Sequence, residues 1–208
     1  MTLKGIICDF GGVLVRMEDD TLRRQMAERL GITLSEMIRA LFYSDACQRA
    51  SEGKITEDEY WQEIKGHFHF SEAEIEQFRA DIFRGEQLNQ ELLDLLGTLP
   101  PGFKKAILSN AWSDARQFFT DTFHLDRYFD LMVISAEESL AKPADEIYLR
   151  TAERMNLNPW ELLFIDDLLI NAQAAAKVGM AAIHYKDTPS AIRQIKTILK
   201  SQGVVIPD

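Results

Sequence analysis

One short apolar run, Gly5 to Cys8, stands alone at the start of this chain, and residues 18–83 behind it carry no second strand candidate. A single strand cannot satisfy its own backbone polar groups, so it has to pair with strands that come much later. Those strands are readable. After Asn89 the sequence alternates: a leucine-rich helix at Glu91–Leu99, stopped by Pro100-Pro101-Gly102, then a strand at Lys104–Leu108. A helix near Asp114–Phe123, a strand at Leu131–Ile134 and a helix near Glu146–Met155 follow. A strand at Leu162–Ile165, a helix near Asn171–Val178 stopped by Gly179, a strand at Ala181–His184 and a helix opened by Thr188-Pro189 complete the series. Strand and helix in alternation predict an α/β fold, a Rossmann-like parallel sheet with helices on both faces.

The stretch from Glu18 to about Phe83 differs in kind. Leu22, Met26 and Leu30 recur at four-residue spacing before Gly31. Thr33 with Glu36, Thr56 with Glu59, and Ser71 with Glu74 have capping-box spacing. Trp61, Ile64 and Phe68, then Ile75, Phe78 and Ile82, form apolar stripes. The expected organisation is an α/β core at residues 1–16 and 89–208 with an all-helical insertion at 17–88.

Composition narrows the partners. The chain has 208 residues, 46% of them hydrophobic, and a formal net charge of -10. That acidity argues against nucleic acid and anionic membrane surfaces, while a small anion remains compatible if cations cluster locally. Two widely separated cysteines, Cys8 and Cys47, fit reduced thiols in a cytoplasmic protein. The N-terminus places Asp9 too early for a secretory leader, and no run is long enough to span a membrane. His67, His69, His124 and His184 show no metal-ligand spacing, and the two in HFHF are expected to be partly buried. No signal for an oligomeric state is present.

Four polar groups fall just past the strand ends: Asp9, Ser109-Asn110, Lys142 and the pair Asp166-Asp167. Each alone reads as a turn or a helix cap. In a parallel sheet, however, the carboxyl ends of the strands share one rim, where such folds bind ligands. A carboxylate such as Asp9 can attack phosphorus and form an acyl phosphate. Two anions approach only if charge is neutralised, and a cation between Asp9 and one of Asp166 and Asp167 would do so, with hard oxygen ligands suiting Mg²⁺. Lys142 would add fixed positive charge, and Ser109 and Asn110 with the adjoining amides would hydrogen-bond the phosphoryl oxygens.

These segments resemble the motifs of the haloacid dehalogenase (HAD) superfamily, in order and over nearly the whole chain. CDFGGVLV is similar to the first, ILSNA to the second, AKPADEIY to the third and FIDDLLINAQAAAKVGM to the fourth. The resemblance implies that Asp9 is the nucleophile, that Ser109 and Lys142 hold phosphate, and that Asp167 is a metal ligand with Asp166 its acidic neighbour. Asn171 and Gly179 also fall at the expected offsets, and the helical block resembles the cap inserted after the first motif. The D-x-G-G-V-L form and the segment SEGKITEDEYW are most similar to sugar-1-phosphate phosphatases and the phosphatase domains of soluble epoxide hydrolases. A Mg²⁺-dependent phosphatase acting on a small phosphorylated metabolite is therefore expected.

Gly11 departs from the pattern. Phosphatases of this superfamily usually carry a second Asp there, which protonates the leaving oxygen; only the backbone carbonyl, a metal ligand in the family, survives with glycine. Three readings are open: esters with undemanding leaving groups, a substitute acid, or a phosphometabolite-binding protein with little turnover. Metal-independent dehalogenases, which also lack the second Asp, are the other enzymatic reading, opposed by the tandem Asp166-Asp167. In the cap, Tyr43, Ser44, Asp45 and Arg49 lie near a helix break where they could meet substrate.

Overall fold

The computed structural model describes residues 2–205. In chain order its elements are β1 (Gly5–Cys8), β2 (Val15–Met17), α1 (Thr21–Arg29), α2 (Leu34–Phe42), α3 (Asp45–Ser51), α4 (Glu57–Phe68), α5 (Glu72–Asp81) and β3 (Glu86–Leu88). They continue as α6 (Gln90–Gly97), β4 (Lys104–Ser109), α7 (Ala115–Asp121), β5 (Leu131–Ile134), α8 (Ser135–Glu138), α9 (Asp145–Arg154), β6 (Leu162–Asp166), α10 (Leu169–Lys177), β7 (Ala181–His184) and α11 (Thr188–Ser201).

The first strand does join the later ones. The sheet runs β5-β4-β1-β6-β7, with every pairing parallel. β1 lies at its centre, Cys8 aligned with Ile107 on one side and Ile165 on the other, so Asp9 emerges mid-rim. Side chains alternate between the faces: Ile6, Cys8, Ile107 and Ile165 join one buried cluster, Ile7, Ala106, Leu108 and Phe164 the other. Helices cover both faces, which is why the strands read as continuous apolar runs.

The helical block has its own apolar cluster, built on Met26, Met37, Leu41, Tyr60, Trp61, Ile64, Ile75, Phe78 and Ile82. All three capping boxes form, opening α2, α4 and α5. Gly31 follows α1 at φ +69, a conformation in which glycine has no steric cost. α3 is capped by Ser44, whose hydroxyl accepts from the Cys47 amide. The break therefore falls at Tyr43, which is exposed, while Arg49 is tied to Asp45 and Glu63.

Two features differ from the sequence reading. β2 and β3 pair antiparallel where the chain enters and leaves the helical block. Each has three residues, VRM and EQL, too short to show a two-residue period. His67 and His69 are exposed rather than partly buried. His69 closes α4 at φ 57, and the adjoining Phe68 and Phe70 pack toward the apolar cluster. No helix among the described residues is long and apolar enough to cross a membrane.

Candidate active site

The four strand-end groups converge, with Lys142 at their centre. Its Nζ lies 2.8 Å from Asp9 Oδ1 and 2.7 Å from Asp166 Oδ2, its side chain only 1% exposed. The Phe164 ring approaches the ammonium at 5.6 Å. Burial opposes the charge on Lys142, but Asp9 and Asp166 outweigh it and hold its pKa above the usual lysine value. The ammonium is a fixed cation.

Its position is set by Asn110. The Asn110 amide donates from Nδ2 to the Lys142 carbonyl and accepts from the Lys142 N–H, each at 2.8 Å. The Asn110 side chain is thus committed to the Lys142 backbone. The Ser109 hydroxyl, at the end of β4, makes no side-chain hydrogen bond to another described residue.

The three carboxylates divide their work. Asp9 Oδ1 accepts from the Phe10 amide at 2.7 Å as well as from Lys142, while Oδ2 accepts from no other described residue. Asp166 is fully engaged: Oδ2 takes Lys142, and Oδ1 takes the Leu168 amide at 2.9 Å and Asn171 Nδ2 at 3.0 Å. Tyr148 secures Asn171 in turn, donating to its carbonyl at 3.1 Å. The Asp167 carboxylate accepts no hydrogen bond from another described residue, and its backbone carbonyl lies 3.0 Å from His184 Nε2.

Each of Asp9, Asp166 and Asp167 offers an oxygen within 4.8 Å of the others. When ionised they leave two negative charges in excess of the Lys142 ammonium. A divalent cation cancels that excess, and all-oxygen donors suit Mg²⁺, so the residues present fit the ion. In the metal-free protein, burial pushes the Asp9 carboxyl up to about 7, with Lys142 opposing and Asp166 adding to the rise. Asp167 is raised by burial and then by Asp166. Cys8, beside Asp9, is driven upward by burial and by that neighbour's charge, so it stays a neutral thiol.

The turn after Asp9 uses its two glycines differently. Gly12 sits at φ +77, and a Cβ there would fall 2.4 Å from Asp167 Oδ2, so a side chain would be strained and would displace that carboxylate. Gly11 lies outside the left-handed region, and a Cβ there would meet nothing within 4 Å. No described backbone N–H donates to its carbonyl.

Residues 3–179 match the haloacid dehalogenase-like hydrolase family. The chain belongs to that family. As a HAD-like hydrolase it is 24% identical over 207 residues to D-ribitol-5-phosphate phosphatase of Bacteroides thetaiotaomicron, covering 96% of this chain and 100% of that one. It is 27% identical over 133 residues to bifunctional epoxide hydrolase 2 of Rattus norvegicus; that match covers 62% of this chain but spans about a quarter, 24%, of the rat protein. A HAD family enzyme of Bacteroides thetaiotaomicron, solved in complex with magnesium and inorganic phosphate, superposes with a TM-score of 0.71 at 25% identity, covering 88% of this chain and 94% of that one.

His184 and Tyr148 were not singled out by sequence reasoning. His184 carried a signal, since it ends a strand as Asp166 does and pairs with it in register. Tyr148 lies inside α9 and closes the AKPADEIY segment, but that segment gave it no role of its own.

Proposed function

We propose that this HAD-like hydrolase is a Mg²⁺-dependent phosphatase that hydrolyses a small phosphorylated metabolite through a phosphorylated Asp9, with sugar phosphates the first class to test. The observation that carries this reading is the cluster of Asp9, Asp166 and Asp167, the first two of which grip the buried ammonium of Lys142. The relatives named above, whose names or bound ligands include a phosphatase and a magnesium–phosphate complex, support it.

Asp9, Asp167 and the Gly11 carbonyl would hold Mg²⁺, which would supply positive charge between the carboxylates and the phosphoryl oxygens. Asp9 Oδ2 attacks phosphorus as the ester P–O bond breaks, and the leaving alkoxide takes a proton from water. Water then attacks the acyl phosphate at phosphorus, releasing inorganic phosphate and the Asp9 carboxylate. Lys142 opposes the rise that burial imposes on the Asp9 carboxyl and offsets charge on the transferring group, while the Ser109 hydroxyl donates to a phosphoryl oxygen. Asp166 holds Lys142 and Asn171 in place. We place the reaction in the α/β core, residues 1–16 and 89–208, with residues 17–88 as a cap over it in a cytoplasmic enzyme.

A panel of phosphorylated metabolites and an aryl phosphate, assayed with Mg²⁺ and with chelator, tests this. Phosphate release that needs Mg²⁺ is expected. Mg²⁺-independent halide release from a 2-haloacid would replace the reading with a dehalogenase.

The division of labour between the acidic pair is separately testable. Asp167→Ala should weaken Mg²⁺ binding in calorimetry with little change in thermal stability. Asp166→Ala should lower stability more, because Lys142, Asn171 and the Leu168 amide all lose a partner. The reverse pattern would exchange the two roles.

Gly11 sets a third expectation. General acid catalysis is worth ~10²–10⁴-fold and matters most for basic leaving groups. Without it, kcat/KM should fall steeply from aryl to anomeric to primary alkyl phosphates. Gly11→Asp meets open space and should flatten that series by helping alkyl esters most. A wild type that treats aryl and alkyl esters alike already possesses another acid.

A further inference from the structure

The segment SEGKITEDEYW, residues 51–61, has no part in the chemistry above, yet it touches the α/β half at two neighbouring points. Gly53, at φ +67, lies flush against Ala136, so close that a Cβ on Gly53 would fall 2.4 Å from the Ala136 carbonyl oxygen. Seven residues further on, Tyr60 and Trp61 close on Trp112, at centroid distances of 4.4 and 5.5 Å, the second nearly perpendicular at 85°. Phe83 adds an edge contact at 6.3 Å. Trp112 follows β4 in the chain but packs into the apolar cluster of the helical block.

These two contacts meet on one turn. The Ala136 amide donates to the Ala111 carbonyl at 3.3 Å, and the Ala111 amide donates to Ser135 Oγ at 3.0 Å. Ser109-Asn110-Ala111 is therefore held on one side by Ser135-Ala136 and continues on the other into Trp112. The helical block bears on both supports. Asn110 carries any shift of this turn to Lys142 through its two 2.8 Å bonds.

We propose that Trp112 is a positioning residue through which residues 51–61 of the helical block set the geometry of the turn Ser109–Ala111 and, through Asn110, of Lys142. This rests on the phosphatase reading, in which that turn holds phosphate. Trp112 itself touches no reacting atom. Its effect is to make phosphate binding depend on the packing of the helical block, and small misplacements of such groups are expensive, about 100-fold for about 1 Å.

The test is a double-mutant cycle of Trp112→Ala and Tyr60→Leu, reading the inhibition constant of inorganic phosphate in Mg²⁺ and kcat/KM for an aryl phosphate, with thermal stability measured alongside. Each single variant should weaken phosphate binding and lower kcat/KM by roughly 10- to 100-fold. The double variant should be little worse than either, because coupled residues are not additive. Trp112→Phe should recover most of the loss. Tyr60→Phe, which removes only the hydrogen bond to the Leu41 carbonyl, should behave as wild type. Additive effects, or variants that lose stability while phosphate affinity stays at the wild-type value, overturn the proposal. Should Trp112→Ala fail to fold, Gly53→Ala leaves every aromatic in place and presses a methyl on Ala136; a raised inhibition constant supports the coupling and an unchanged one overturns it. A wild type that neither binds phosphate nor hydrolyses esters defeats the phosphatase reading instead. In that event amide hydrogen exchange of residues 109–112 in Tyr60→Leu still decides the coupling: faster exchange supports it, unchanged exchange overturns it.

Discussion

Asp9→Asn should reduce turnover to background, a loss on the order of 10⁴-fold or more for removal of a nucleophile, and leave the protein folded. The asparagine oxygen can still accept from the Phe10 amide and from Lys142, the two bonds Asp9 Oδ1 makes now. What disappears is one of three clustered negative charges. Burial raises the Asp9 carboxyl to about 7 in the metal-free fold, whereas an unfolded aspartate ionises near ~3.9. Between those values the folded protein binds more protons than the unfolded chain, so stability falls as pH rises through that window. Asparagine does not titrate. The stability advantage of Asp9→Asn over wild type, measured by denaturant unfolding in chelator, should therefore grow from about pH 4 to about pH 7 and then level off. A variant that retains activity is incompatible with covalent catalysis by Asp9; an advantage that shrinks with pH means that the Lys142 pairing outweighs burial.

Lys142→Met should be the most destabilising single change in the site. The ammonium is 1% exposed and the Asp166 carboxylate 0%, so removing the cation leaves the buried Asp9 and Asp166 carboxylates facing each other without a counter-charge from lysine. Breaking a buried ion pair from one side costs about 3–5 kcal/mol, against 0–1 kcal/mol for an exposed pair. Lys177→Met, which breaks the exposed pair with Asp145, is the control and should be near neutral. Uptake of a proton by the orphaned carboxylates limits the cost, so the loss should deepen as pH rises. Urea unfolding of both variants at two pH values checks this. A Lys142→Met protein as stable as the control would mean that the buried charges are not held by that contact.

Much of this was legible in the sequence. The parallel sheet followed from short apolar runs alternating with helical spacing, and the rim from the polar residues beyond them, although Lys142 lies past α8 rather than directly after β5. Capping boxes were equally readable, because a fixed spacing of side chain and amide defines them. What the sequence withheld depends on contacts between distant segments. Nothing in the two residue types distinguishes Asp166, whose oxygens accept from Lys142, Asn171 and the Leu168 amide, from its neighbour Asp167. Asn110 looks like a ligand-facing residue until its amide is seen clasping the Lys142 backbone, 32 positions away. Trp112 reads as one more apolar residue after a strand; only the fold shows it seated in the aromatic cluster of the helical block. The β2–β3 pair is three residues on each side, below the length at which a period can register.

In the phosphatase proposed above, Asp9 is phosphorylated and released in each cycle. The most direct measurement is acid quenching during turnover of an aryl phosphate with Mg²⁺, followed by peptide mapping by mass spectrometry. A phosphoryl group is expected on Asp9, enriched because Gly11 has no side chain to act as base in the second step, and absent from Asp9→Asn. Rapid phosphate release with no adduct on Asp9, or with the adduct on another residue, would contradict it.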